Sequence, residues 1–288
     1  MNSSLKDALR SMAEATGLEV RKTSVYTSQK LRLQLLFSQL PIDLVLDVGA
    51  NTGQFARQCR AAGYSGKIIS FEPSAAAHAS LLQSAASDPQ WSVADRMALG
   101  AKNSETEINI AVNSYSSSIL PMLDTHLSAA PNSAYLQKEK VPLRRLDDVL
   151  AETAPGHNIF LKLDVQGYES HVLAGATHLL PRTIAVQLEM SLLPLYVGET
   201  LMPRMCSNLT AKGFDLWDLE PSFRDPATGR LLQVDGIFTR PPAPQFAPQF
   251  APQFQDASPR RVQDTSKTRR LRNPKVTNPP HTKSPTTN

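Results

Sequence analysis

Residues 44–53 hold the feature that most constrains the fold. A short unbroken apolar run, Leu44-Val45-Leu46-Asp47-Val48, closes on Gly49-Ala50-Asn51-Thr52-Gly53. An apolar run of this length bounded by turn residues reads as a strand buried on both faces. Such a strand needs crossover helices to cover it, so the run predicts an α/β domain with a parallel sheet. In open sheets of this kind, ligands sit beyond the carboxyl ends of the strands. Asp47 and the loop after it therefore point to a binding crevice.

The pattern repeats downstream. The sequence predicts a helix over 53–62 ended by Gly63, a strand over 67–72, a helix over 75–84, a third strand within 91–99 and an added one at 107–112. A strand at 159–164, a helix at 167–180, a strand at 183–190 and a helix at 201–212 follow. Late strands at 214–219 and 232–239 flank a turn at 225–229. No helix separates these two, which predicts antiparallel pairing. A long loop is expected at 113–139, and loops of this length tend to be lids or binding loops. Tyr115-Ser116-Ser117-Ser118 within it is a candidate for the acceptor pocket. Ahead of the domain, residues 1–41 read as a helical lead-in. Leu31, Leu35 and Leu36 share a face, Phe37 and Leu40 lie beside it, and Pro41 stops the helix.

The formal charge of +4 belongs to one end of the chain. Residues 241–288 carry eight basic and two acidic side chains, ten of the 22 prolines and three copies of Ala-Pro-Gln-Phe. A segment so poor in apolar residues cannot offset its ordering entropy, so a disordered tail is expected there. It is a candidate for contact with anionic surfaces. The domain at 42–240 and its lead-in together carry a net −2, so the basic balance gives no ground for specific nucleic-acid recognition by the fold. No apolar run is long enough to span a bilayer. Residues 1–10 lack the charged start and apolar core of a secretory signal. Cys59 and Cys206 form no ligand motif and read as the free thiols of a cytoplasmic protein. No cysteine or histidine cluster suggests a metal site.

The chemistry concentrates at four acidic strand ends: Asp47, Glu72, Asp164 and Glu189. Gly49 and Gly53 let the backbone of the first loop, with Ala50 and Asn51, approach a ligand closely. The loop opens a helix, whose free N–H groups favour a carboxylate. Asp47 suits an ammonium. Glu72, 19 residues after Gly53, can accept two ribose hydroxyls at the next strand end. A ligand with an amino-acid end and a nucleoside end satisfies all of these, and S-adenosylmethionine is such a ligand. A nicotinamide or flavin dinucleotide is the rival. Asn51 stands where a second glycine would let a pyrophosphate lie on the backbone, which disfavours it. A non-catalytic binding protein of the same fold, recruited through its tail, is the other alternative. Asp164 and Glu189, on strands expected to adjoin, face one crevice. There they can deprotonate or orient an acceptor hydroxyl, or share a divalent cation. Lys162 is expected to snorkel or pair, and His171 to be a packed or surface residue.

These residues also carry a family resemblance. Leu46-Asp47-Val48-Gly49-Ala50-Asn51-Thr52-Gly53, Phe71-Glu72-Pro73, the run from Lys162 to Glu169, Val172-Leu173-Ala174-Gly175-Ala176, Leu192-Leu193-Pro194-Leu195-Tyr196 and Gln233-Val234-Asp235-Gly236-Ile237-Phe238 occur in this order. Residues 44–238 thereby resemble the FkbM family of methyltransferases. The resemblance implies a class I Rossmann-like fold, with a mostly parallel seven-stranded sheet, helices on both faces and an antiparallel late strand. It implies methyl transfer from S-adenosylmethionine to a hydroxyl oxygen, with sugar units of glycolipids or polysaccharides, or secondary metabolites, as acceptors. It also implies that Met97 and Ala98 lie near the adenine. Gln166 stands where relatives often carry glutamate, and no catalytic role is assigned to it.

Overall fold

The computed structural model describes residues 11–151 and 156–240. The chain divides into two units, Met1–Phe246 and Ala247–Asn288, and all described residues lie in the first. The start of the expected lead-in (1–10) and the expected Pro-rich basic tail (241–288) lie outside the described residues.

Seven strands form the central sheet: β1 (Leu44–Val48), β2 (Lys67–Phe71), β3 (Trp91–Val93), β7 (Ile159–Leu163), β8 (Thr183–Ser191), β9 (Asp215–Arg224) and β10 (Leu231–Thr239). Their spatial order is β3-β2-β1-β7-β8-β10-β9. The first five are mutually parallel. β10 runs antiparallel to both of its neighbours, as the missing helix between the last two strands predicts. The order reverses between β1 and β7, which places a crevice above those two strand ends.

Every residue of β1 and β7 is buried. The alternation of their side chains builds two cores. Leu44, Leu46, Leu161 and Leu163 pack with Leu146, Val172, Met205 and Leu209 on one face. Val45, Ile68 and Phe160 pack with Leu33, Leu36, Phe55 and Cys59 on the other. Helices therefore cover both faces, and the lead-in helix Gln29–Gln39 is one of them. Leu33 and Leu36 fill its buried face while Leu35 is 40% exposed, so the expected Leu31–Leu35–Leu36 face is rotated. Phe37 fixes the rotation by stacking on Tyr64, with ring centroids 4.7 Å apart.

Two local expectations are corrected and one is extended. The loop expected at 113–139 contains a helix, Asp124–Ala129, and the start of a long strand, β6 (Tyr135–Arg144). The charged run Gln137-Lys138-Glu139-Lys140 hides this strand, which pairs antiparallel with β5 (Ser104–Ala111). The segment 91–99 holds the expected third strand, β3, which ends at Val93, and also a second one: β4 (Ala98–Leu99) joins β6 in a separate three-stranded sheet. The helix expected at 167–180 is only Glu169–Ala174. It stops at Gly175, which lies against the Gly100 carbonyl.

Candidate functional site

The first loop is built by close approach. Gly49 has φ +81°, and a Cβ there would stand 1.9 Å from the backbone oxygen of Asp164. Glycine is what lets the ends of β1 and β7 meet. Gly53 has φ +90° and lies against the Trp91 ring. Between them, Asn51 takes a left-handed φ of 49°, and its N–H donates to Glu72 Oε2 at 2.8 Å. Glu72 Oε1 accepts from Ser74 N–H at 2.8 Å. Each oxygen keeps a lone pair for a further donor. Burial pushes Glu72 up to about 7, and these two N–H donors work against the rise.

A row of polar side chains crosses the otherwise apolar sheet face beneath the loop. Asp47 is in register with Ser70 on one side and Lys162 on the other, and Lys162 with Gln187. Asp47 is 1% exposed, and burial pushes it up to about 7 despite the Lys162 ammonium. Lys162 pairs with Asp164 at 3.2 Å. Burial alone would lower its pKa, but Asp164, Asp235, Glu189 and Asp47 around it raise it. The expected pairing of Lys162 is thus found, inside the protein rather than at its surface.

Two adjoining cavities open from this region. The larger, about 220 Å³, is lined by Gly49, Asn51, Glu72, Met97, Ala98, Asp164, Gln166 and Glu189. Its far wall comes from the small sheet and the segment after β5: Ile108, Ser114, Tyr115, Ser117, Ser118 and Ile119. The smaller, about 180 Å³, is lined by Asp47, Ala50, Gln54, Gln58, Lys162, Gln187 and Asp235. Gly49, Asn51, Tyr115 and Asp164 border both. Of the candidates read from sequence, Gly49, Asn51, Glu72, Met97, Ala98, Asp164 and Glu189 thus meet at the larger cavity, and Asp47 and Ala50 at the smaller. Gly53 borders neither, and its contact with Trp91 accounts for the glycine. His171 stacks on Tyr168 outside both cavities.

Asn51, Ser114 and Gln166 are the three non-glycine residues with positive φ among the described residues, and all three line the larger cavity. Each such conformation costs about 1–2 kcal/mol. Contacts across the cavity hold them. Asn51 Nδ2 donates to Ser114 Oγ at 3.2 Å, and Ser118 Oγ donates to the Gln166 carbonyl at 2.7 Å.

Gln166 occupies the centre. Its Nε2 donates to Asp164 Oδ1 and to Glu189 Oε2, both at 2.9 Å. Its Oε1 accepts from the Tyr196 hydroxyl at 2.7 Å. Glu189 Oε2 also accepts from Gln233 Nε2 at 3.0 Å, and Oε1 from Ser222 Oγ at 3.3 Å. Burial and the nearby Asp164 hold Glu189 well above the ordinary carboxylate range. An N–H donor fills the space between the two carboxylates, so the pair does not fit a shared divalent cation. Among the described residues, no three His, Cys, Asp or Glu gather to hold a metal. Asp164 does not cap the following helix. Glu169 Oε1 instead accepts from Val165 and Gly167 N–H and ties the turn that precedes the helix. Gln166, Tyr196 and Gln233 are functional candidates that residue chemistry alone passed over, although all three stand in the motifs that carry the resemblance.

No helix among the described residues is long and apolar enough to cross a membrane. No curated protein matches the chain. Among solved structures, the chain is similar to the FkbM methyltransferase of Methylobacillus flagellatus at 13% identity and a TM-score of 0.44, covering 68% of this chain and 43% of that one. It therefore spans less than half the length of that relative. Fibrillarin of Aeropyrum pernix, solved with bound S-adenosyl-L-methionine, is similar at 13% identity and a TM-score of 0.39, over 72% of this chain and 74% of that one. The magnesium protoporphyrin IX methyltransferase of Synechocystis is similar at 13% identity and a TM-score of 0.41, over 83% of this chain and all of that one. The family model described as the methyltransferase FkbM domain matches residues 47–216, more than half of the chain. The chain belongs to the FkbM family of methyltransferases.

Proposed function

We propose that the protein is an S-adenosylmethionine-dependent O-methyltransferase acting on a hydroxyl of a sugar unit in a glycolipid, polysaccharide or secondary metabolite. The observation that carries this reading is the convergence of Glu72, Asp164 and Glu189 on one cavity whose lining residues include no Lys, Arg or His. Such a cavity favours a cationic cofactor and an uncharged acceptor group. The residues fit the cofactor. Asn51 Oδ1 is buried without a hydrogen-bond partner among the described residues. Glu72 has lone pairs for a ribose diol, and Asp47 suits an ammonium in the smaller cavity. Met97 and Ala98 would flank the adenine. No metal enters the proposal.

When bound, the cofactor would supply an electrophilic sulfonium methyl whose leaving group is the neutral thioether sulfur. Asp164 orients the acceptor hydroxyl and takes its proton as the new carbon–oxygen bond forms. Glu189 anchors the other side of the centre. Holding oxygen, methyl and sulfur in line is the main contribution of the cavity walls. Calorimetry with S-adenosylhomocysteine tests the cofactor assignment. Wild type should bind one molecule and Glu72→Ala should bind it at least tenfold more weakly, the loss of about two hydrogen bonds to a charged group. No binding to wild type would remove the reading. Mass spectrometry of glycans and glycolipids from a deletion strain, searching for lost methyl groups, identifies the acceptor.

A further inference from the structure

The centre contains two carboxylates of different standing. Asp164 has two side-chain partners, Lys162 and Gln166, and its side chain is 41% exposed at the cavity. Glu189 is held by Gln166, Gln233 and Ser222. One residue touches both. An amide nitrogen has two hydrogens, and here each goes to a different carboxylate. With the two bonds spread at the trigonal angle of an amide, they set the bound oxygens about 5 Å apart. The direction of the amide is fixed as well. Ionised carboxylates only accept, so the N–H end faces the acids and the Tyr196 O–H donates to the carbonyl end. Tyr196 is itself 1% exposed and packed edge-on against His126. The left-handed backbone at Gln166, tied by Ser118, is what carries the side chain to this place.

We propose that Gln166 is the positioning residue of this centre: oriented between the acids and Tyr196, it ties Asp164 to Glu189 and turns the free lone pairs of Asp164 toward the acceptor hydroxyl beside the transferring methyl. Gln166 does not touch the acceptor's reacting oxygen; it acts through Asp164. The inference rests on the proposed cofactor reading, and its test separates the two.

The probes are S-adenosylhomocysteine, which lacks the methyl, and sinefungin, which carries an amine in its place. The amine reports on acceptors that face the methyl position, while the homocysteine analogue reports on the rest of the cofactor site. Calorimetry on the full chain at pH 8 measures both. Wild type should prefer sinefungin, and Asp164→Asn should lose that preference. Gln166→Leu should lower the preference by about tenfold, the loss of one charge-assisted hydrogen bond, with affinity for S-adenosylhomocysteine unchanged. Tyr196→Phe should lower it less, because the acids still favour the N–H end. Gln166→Asn, too short to span both carboxylates, gives the same readout if the leucine variant does not fold.

A preference unchanged by both Gln166 variants overturns the inference, as does an equal loss of affinity for both probes, which is what a merely structural role produces. Absence of any sinefungin preference in wild type overturns it too. Failure of wild type to bind S-adenosylhomocysteine refutes the cofactor reading instead.

Discussion

Binding of the cofactor should release protons, and the structure sets the scale. Glu72 is raised from 4.5 to about 7 by burial, and Asp47 from 3.8 to about 7. Both therefore carry a proton through much of the range below pH 7 in the ligand-free protein. A ribose diol donates to Glu72 and an ammonium pairs with Asp47, so the ligand selects the ionised forms. At 1.36 kcal/mol per pH unit, returning Glu72 from about 7 to 4.5 is worth about 3 kcal/mol. One such group makes binding about tenfold weaker at pH 6 than at pH 8, and two make it about a hundredfold weaker. Titration calorimetry with S-adenosylhomocysteine in buffers of different ionisation enthalpy measures the release directly. At pH 6 it should approach one proton for each of the two carboxyls. Glu72→Gln should remove one proton and one tenfold factor. An affinity flat between pH 6 and 8, or proton uptake on binding, refutes the reasoning.

The same two groups predict how the ligand-free protein responds to pH. Their folded values are raised, so the stability they contribute is present below about pH 4 and is lost as pH rises through about 7; urea unfolding at pH 5 and pH 8 should show the decrease, and saturating cofactor should reverse it. Gly49→Ala should cost about 2–5 kcal/mol, since the methyl meets a backbone oxygen at 1.9 Å in a left-handed conformation, and should abolish analogue binding in whatever fraction folds. Leu161→Ala, at an unexposed position inside the core that holds Leu146 and Val172, should cost about 2–5 kcal/mol in chemical denaturation while leaving affinity for the analogue unchanged in the folded protein.

The architecture was legible where side chains fill the period of the element. Leu44–Val48 and Ile159–Leu163 read as doubly covered strands because their apolar residues face two cores, and the missing helix before Leu231–Thr239 foretold the antiparallel strand. The small sheet was hidden for the opposite reason. Tyr135–Arg144 exposes much of one face, so its charged residues carry no strand period, and pairing with Ser104–Ala111 supplies the order that local sequence does not. At the site, Asp47, Glu72, Asp164 and Glu189 were readable as acids beside strand ends. The shared crevice of Asp164 and Glu189 was readable too, but the amide that joins them was not, because Gln166 reaches them through a left-handed backbone and bonds a tyrosine 30 residues away. An uncharged amide offers no chemical signal until its partners are placed. Lys162 was readable as a residue that snorkels or pairs, but the four carboxylates that surround it come from separate strands and were not.

The central claim is transfer of a methyl from S-adenosylmethionine to a hydroxyl oxygen, with Asp164 serving the acceptor. The full chain, S-adenosylmethionine labelled in its methyl group, and glycolipid and polysaccharide extracts of a deletion strain test it in one incubation. The account predicts label in a glycan fraction that survives mild alkali, as an ether does, and a loss of about 100-fold or more in its rate for Asp164→Asn, the lower range for removing a general base. Label absent from every hydroxyl-bearing fraction, or transfer undiminished in Asp164→Asn, would contradict it.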